Sequence, residues 1–438
     1  MMRARFGIFI VASATAFSPA AGQGPVRLSF AETVRRAAGE APSVALATLR
    51  TDEATARVRQ ARAALLPSLA AAGLWVNRDF NSRSLGINFP GIPVLVPSFN
   101  NYDARLTATQ TLFDWSSAAR VRAASAQADG SRADASVTVE GAAQVAALAY
   151  LRATRAQALV AARQADSSIA TELVGLAQAQ RAAGVSPLID VTRARAQLVS
   201  AEGLLIVARN QRDRARIDVA RALGLDPGTP PELTDTLLGT LGAADLGAEP
   251  GPVVAAALAN RPDLRAELAR GAAARRTSTA IRAERLPQLD LEADYGANGL
   301  TVPSAIATRQ LALKVTVPIF DGLRREARLA EQDAVAQESQ VRERDLRQQI
   351  TADVDTAFLN LRSAQAQQAI AAEQFRLALD ELAQARERFR AGVAGNIDVI
   401  NAQSNLIRAR DTDIDARFAA ASSRVALARA AGVAHTLH

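Results

Sequence analysis

The chain has 438 residues and a formal charge of +7, and it is 49% hydrophobic but only 4% aromatic because alanine supplies much of the apolar count. Alanine cannot fill a thick globular core, but it suits long helices packed closely side by side. There is no cysteine, which excludes disulfides, thiolate metal sites and a lipidated N-terminal Cys; Lys314 is the only lysine, and the arginines alternate with Asp and Glu along helical faces instead of forming the basic block of a nucleic-acid binder.

In chain order, Arg3 and Arg5 precede an apolar stretch from Phe6 to Phe17 and the small-residue run Ser18-Pro19-Ala20-Ala21-Gly22. That is the layout of a secretory signal peptide over residues 1–22, cut after Gly22 or after Ala20. No later stretch reaches the roughly 18 uninterrupted apolar residues of a spanning helix. A membrane location would therefore require a barrel.

From residue 23 to 225 the pattern predicts a helix, two strands, a very long helix, a tight turn and a second helix. Leu69, Ala71, Gly73 and Trp75, then Leu106, Ala108, Gln110 and Leu112, alternate faintly with period two. Between them, about Asp79 to Asp103, the prolines Pro90, Pro93 and Pro97 argue for a loop over prolonged strand. Gly130, Gly141 and Gly175 fall inside the long helix, so weaker or bent packing is expected there. Residues 226–252, with Asp226-Pro227-Gly228 and Glu249-Pro250-Gly251-Pro252, read as a linker.

Residues 253–433 then repeat the plan, and 434–438 read as a tail. Tyr150 matches Phe358, Gly184 matches Gly392, Asp190 matches Asp398, Leu198 matches Leu406 and Gly224 matches Gly432, each at an offset of 208 positions. Repeats of this kind decide the architecture. Leu289, Leu291, Ala293 and Tyr295 oppose Asp290, Glu292 and Asp294; Leu311, Leu313, Val315 and Val317 oppose Gln310, Lys314 and Thr316. One face is apolar and the other charged, as the lipid and lumen sides of a membrane barrel would be, with a soluble hairpin packed on a core as the alternative.

No glycine or proline interrupts Leu323 to Ala391, which at 1.5 Å per residue allows a helix of roughly 100 Å. Ile350, Val354, Ala357, Leu361, Ala364, Gln368, Ala371, Phe375, Ala378, Leu382, Ala385 and Phe389 step by four and three, a coiled-coil seam polar only at Gln368. The helix should stop at Gly392, and its partner should run antiparallel from about Asn396, as N-cap, to Ala431. Four strands cannot close a barrel, since even the smallest has about eight, so several protomers must pool theirs.

The repeat openings Leu28-Ser29-Phe30-Ala31-Glu32-Thr33-Val34 and Asn260-Arg261-Pro262-Asp263-Leu264, together with the Leu-Pro-x-Leu strand entries at Leu66 and Leu286, form part of an ordered, duplicated set. The Phe113-Asp114 and Phe320-Asp321 strand exits and the two turns complete it. Over nearly all its mature length the chain resembles the TolC-type outer-membrane efflux proteins. The resemblance implies a mainly α fold with a membrane β-barrel portion: a homotrimer whose twelve strands form one barrel in outer-membrane lipid, continued by an α-helical tube in the periplasm. It further implies an exit duct for a tripartite efflux or type I secretion system, working with a periplasmic adaptor and an inner-membrane pump.

By the same resemblance, Gly184, Val185, Gly392 and Val393 in the tip turns meet the adaptor, although the glycines also read simply as helix C-caps. Asp398 matches a position whose carboxylates ring the closed periplasmic aperture, with Asn401 one turn on and Asp190 in the first turn beside it. Relatives carry an acidic residue where Asn401 stands, and some carry an arginine where Ala394 stands, so a weaker charge ring is expected. Asp398 also reads as an ordinary helix first-turn carboxylate.

An enzyme is not expected. The two histidines, His435 and His438, lie at the extreme C-terminus, and no phosphate-binding glycine loop or metal-spaced ligand set accompanies them, so no acid, base, nucleophile or cofactor site assembles. A periplasmic coiled-coil adaptor or binding protein without a barrel remains the alternative, though it has no use for two hairpins with opposed apolar and charged faces.

Overall fold

The computed structural model describes residues 26–86, 93–237, 241, 242, 244, 246–393 and 395–438. The expected signal peptide, Pro90 and Ala394 lie outside the described residues. The chain is mostly helical with few strands.

Each half opens with two helices where one was expected. α1 (Phe30–Glu40) gives way to α2 (Pro42–Ala63), and α5 (Pro250–Asn260) gives way to α6 (Pro262–Ala283). Pro42 and Pro262 stand at the first helical position, where proline's fixed φ fits and its missing N–H is no loss, so each starts a new helix. The linker is also more structured than its breakers suggested. β1 (Arg27–Leu28) pairs in parallel with β4 (Glu232–Leu233), and α5 begins at Pro250.

The main sheet is antiparallel in the order β2 (Ser68–Asn81), β3 (Leu95–Phe113), β5 (Gln288–Gly299), β6 (Ile306–Thr316), so the two hairpins join along β3 and β5. Its register sorts side chains by polarity. Leu69, Ala108, Ala293 and Leu311 form one cross-strand row, while Thr111, Asp290 and Lys314 form a row on the opposite face. Leu311 and Val315 are 75% and 64% exposed on the apolar side of the single chain. On the other side Arg105 bonds Asp103 at 3.1 Å and Asp294 at 2.6 Å, and Thr111 donates to Asp290 at 2.9 Å.

The loop expected from Asp79 to Asp103 is shorter than that. β2 continues to Asn81 and β3 starts at Leu95, with Pro97 inside it. The register passes from Arg78 opposite Phe99 to Phe80 opposite Val96, so Pro97 and Ser98 share a bulge opposite Asp79. A bulge needs no ladder N–H there, which is why a strand tolerates this proline.

α3 (Trp115–Ala182) and α4 (Leu188–Leu223) form one antiparallel pair, and α7 (Arg324–Arg390) and α8 (Asn396–Ala431) form the other. Along α7 the seam residues Ile350, Val354, Ala357, Ala364, Ala371, Ala378, Leu382 and Phe389 are buried. α3, where weaker or bent packing was expected around its glycines, is deeply buried between Gly141 and Gly175. Ala143, Ala146, Ala147, Tyr150, Leu151 and Ala153 are fully buried in the largest core cluster, with Phe30, Val34 and Val425. Gly130 lies against Ala269 of α6, so small residues there let neighbouring helices approach closely. The tail is likewise part of the core: Ala434 and Leu437 are buried, the Ala434 amide donates to Glu140 at 2.7 Å, and His435 pairs with the same carboxylate.

Candidate functional site

The two hairpin turns close identically at the end of the helical coils remote from the sheet. Gly184 and Gly392 both take φ of 74°. Gly184 N donates to Arg181 O at 3.0 Å and Val185 N to Gln180 O at 2.9 Å; Gly392 N and Val393 N make the matching bonds to Phe389 O and Arg388 O at 3.0 and 3.1 Å. This satisfies carbonyls that the ending helices would otherwise leave open. Nothing lies within 4 Å of a Cβ built at either glycine, so the backbone angle and not crowding requires glycine. Val185 and Val393 stand 66% and 71% exposed immediately beyond.

The turns are tied side by side. Gln180 donates to Phe389 O at 2.8 Å, and Asn396, almost fully buried, donates to Asp190 O at 2.9 Å. This corrects the expected cap: Gly395 is the N-cap of α8, and Asn396 is its first residue, its amide committed to the neighbouring hairpin. Asp190 and Asp398 occupy equivalent first-turn positions of α4 and α8. The Asp190 carboxylate accepts from Ser186 at 2.7 Å and has Arg193 at 3.9 Å, whereas Asp398 is exposed with Asn401 exposed one turn further on the same helix.

A buried ionic layer higher in the coil was not foreseen. Asp166 of α3 meets Arg410 of α8 at 2.6 Å and Arg163 at 3.0 Å, and Arg163 reaches Asp411 of α8 at 2.5 Å. Gln403 is fully buried beside them, donating to Asp166 O at 3.4 Å. The layer separates the apolar cluster at the tip, with Leu173, Leu382, Val399 and Leu406, from the main core. Its signal in the sequence was the Arg163 to Asp166 spacing of three, which reads equally well as a solvated pair.

No described helix is long and apolar enough to cross a membrane. A sheet apolar on one face and charged on the other, set at one end of α3 and α7, each about 100 Å long, fits a channel-type protein with an elongated helical part. The chain belongs to the outer membrane efflux protein family, whose sequence pattern matches residues 33–225 and 253–433. It is 29% identical over 411 residues to protein CyaE of Bordetella pertussis, covering 92% of this chain and 84% of that one. It is 26% identical over 400 residues to the pyoverdine export outer membrane protein OpmQ of Pseudomonas putida, covering 89% and 82%. Among solved structures, the outer membrane protein VceC of Vibrio cholerae shares the fold with a TM-score of 0.75 at 21% identity, over 92% of this chain and 96% of that one. The protein is thus an outer-membrane efflux or secretion channel with a periplasmic helical tunnel, a transport duct and not an enzyme, which sets aside the adaptor alternative.

Proposed function

We propose that three copies of this chain assemble into one duct, the outer-membrane exit of a tripartite efflux or type I secretion system. The observation that carries this reading is the four-stranded sheet, in which β2 and β6 each have a partner on one side only. Unpaired strand edges are not viable in hydrocarbon, so twelve pooled strands are the economical way to satisfy them. Exposed apolar residues on α4, such as Val199 and Ile206, and on α7, such as Leu359 and Ile370, support packing of helices from adjacent copies into a tube.

In this reading residues 1–22 direct export, 23–225 and 253–433 are the two repeats, and 226–252 joins them. The turns at Gly184, Val185, Gly392 and Val393 receive the periplasmic adaptor, through which an inner-membrane pump loads the duct. Asp398 lines the aperture, with Asn401 thinning the charge ring and Asp190 held back by Ser186 and Arg193. The outward direction is supported by the similarity to a pyoverdine export protein. The test is mass measurement in detergent followed by planar-bilayer recording. Three chains per particle and a single conducting unit are expected; a monomer, or full solubility without detergent, would refute the reading.

A further inference from the structure

Between β6 and α7 the chain reads Val317-Pro318-Ile319-Phe320-Asp321-Gly322-Leu323. Ile319, Phe320 and Leu323 are 91%, 76% and 63% exposed. Leu323 has φ of 66°, the one non-glycine residue with positive φ among the described residues. A β-carbon strains that conformation, and such strain persists only where the surroundings hold it. They do so here: buried Arg325 donates its backbone N–H and its Nε to Asp321 at 3.1 and 3.0 Å and reaches Glu284 O at 3.3 Å. The turn is therefore a rigid device that displays apolar side chains outward.

Its position says toward what. Leu311, Leu313 and Val315 form the apolar face of β6, paired with Ala293, Leu291 and Leu289, and the turn starts where that face ends, on the helix side of the sheet. At the same level on β3, a bulge between Thr111 and Phe113 leaves Leu112 and Phe113 both exposed, with Trp115 packed edge-on against Phe113 at 5.4 Å. Arg324, exposed and without an ion pair among the described residues, follows Leu323 directly. Apolar residues at the rim of a lipid-facing sheet, followed by a free guanidinium, fit the boundary between acyl chains and anionic headgroups.

We propose that Ile319, Phe320 and Leu323 form a wedge inserted into the periplasmic leaflet of the outer membrane, with Arg324 on the phosphate of an anionic phospholipid. The proposal rests on the reading that the sheet lies in the bilayer. A neighbouring copy against the β6 edge is the competing occupant.

The test uses the full assembled channel in nanodiscs, in a Trp75→Phe, Trp115→Phe background. Single tryptophans are placed by Phe320→Trp, Ile319→Trp, Leu311→Trp and Val393→Trp, and quenching by acyl-brominated phospholipid is read. Tryptophans at 320 and 319 should be quenched as strongly as one at 311, and one at 393 not at all. Quenching at 311 with none at 320 or 319 would assign the turn to the neighbouring copy and overturn the wedge alone. Absence of quenching at 311 would overturn the membrane sheet and the wedge with it. Brominated phosphatidylglycerol should be preferred to brominated phosphatidylcholine by about fivefold, roughly what one arginine contributes at an anionic surface. Arg324→Gln in the Phe320→Trp protein should abolish that preference while leaving total quenching intact; a preference that survives would overturn the phosphate contact.

Discussion

Gly224 and Gly432 do different work from the tip glycines, although all four have positive φ. A Cβ at Gly432 would stand 2.9 Å from Cγ and 3.2 Å from Cα of Arg261, and one at Gly224 would stand 2.8 Å from Cγ of Pro42, so in each half a helix end presses on the break that opens that half. Gly432→Ala therefore combines about 1–2 kcal/mol of left-handed strain with about 1–3 kcal/mol of overpacking. Gly184→Ala, with open space around it, carries the strain alone. Thermal denaturation of the assembled protein should show Gly432→Ala clearly the more damaging; equal losses would mean that the contact with Arg261 yields freely. The pairing of these glycines at one offset was legible in the sequence. Their differing surroundings were not, because crowding belongs to the tertiary contact and leaves no mark on the residue itself. Asn396 carries the same lesson: Gly and Asn are both good caps, and only the neighbouring Asp190 carbonyl decides that Asn396 serves the other hairpin.

At the scale of elements, Tyr150 of α3 joins three segments. Its hydroxyl donates to Leu28 O at 3.0 Å and lies 3.0 Å from Asp235, whose carboxylate also accepts from the Phe30 amide at 2.6 Å. Its counterpart Phe358 has no hydroxyl, so this tie belongs to the first half alone. Tyr150→Phe removes these bonds and takes away the acceptor of the Asp235 amide, which donates to the hydroxyl at 3.3 Å, and should lower stability by about 1–3 kcal/mol. Burial, assisted by the Asp235 charge, holds the Tyr150 hydroxyl well above the usual phenol range. The sign follows: the folded state keeps the proton while the unfolded chain loses it near 10, so this contribution is complete below about pH 10 and declines above it. Alkaline unfolding should begin there and flatten in Tyr150→Phe; an unchanged alkaline limb would dissociate the tyrosine from it. Helix lengths and strand faces were legible because period and polarity are local properties. The depth of α3, the bulge at Pro97 and the buried tail were not, since a glycine, a proline or a terminal residue reports its own preference and not what packs against it.

Only at the scale of the whole molecule do the two readings of Asp398 separate. A carboxylate in the first turn of α8 is stabilised by the helix dipole by about 0.3–1 kcal/mol wherever the helix stands. In the proposed trimer, threefold symmetry would add what a single chain lacks by bringing three copies of Asp398 around one axis. Gathered there, they would concentrate cations and make the closed pore cation-selective and open to block by multivalent cations. Asp190 cannot serve equally, because Ser186 and Arg193 already engage its carboxylate. Asp398→Asn keeps a short polar side chain and removes the charge. If Asp398 lines the aperture, bilayer recordings should show reduced cation selectivity and weaker multivalent block with assembly intact. If it only terminates a helix, stability should fall slightly with conductance unaltered. Asn401→Asp sharpens the comparison, since it sets a second carboxylate on the same exposed face one turn on, and it should deepen selectivity and block in the first case and change neither in the second. Unaltered selectivity in both variants, in properly assembled channels, would remove Asp398 from the aperture.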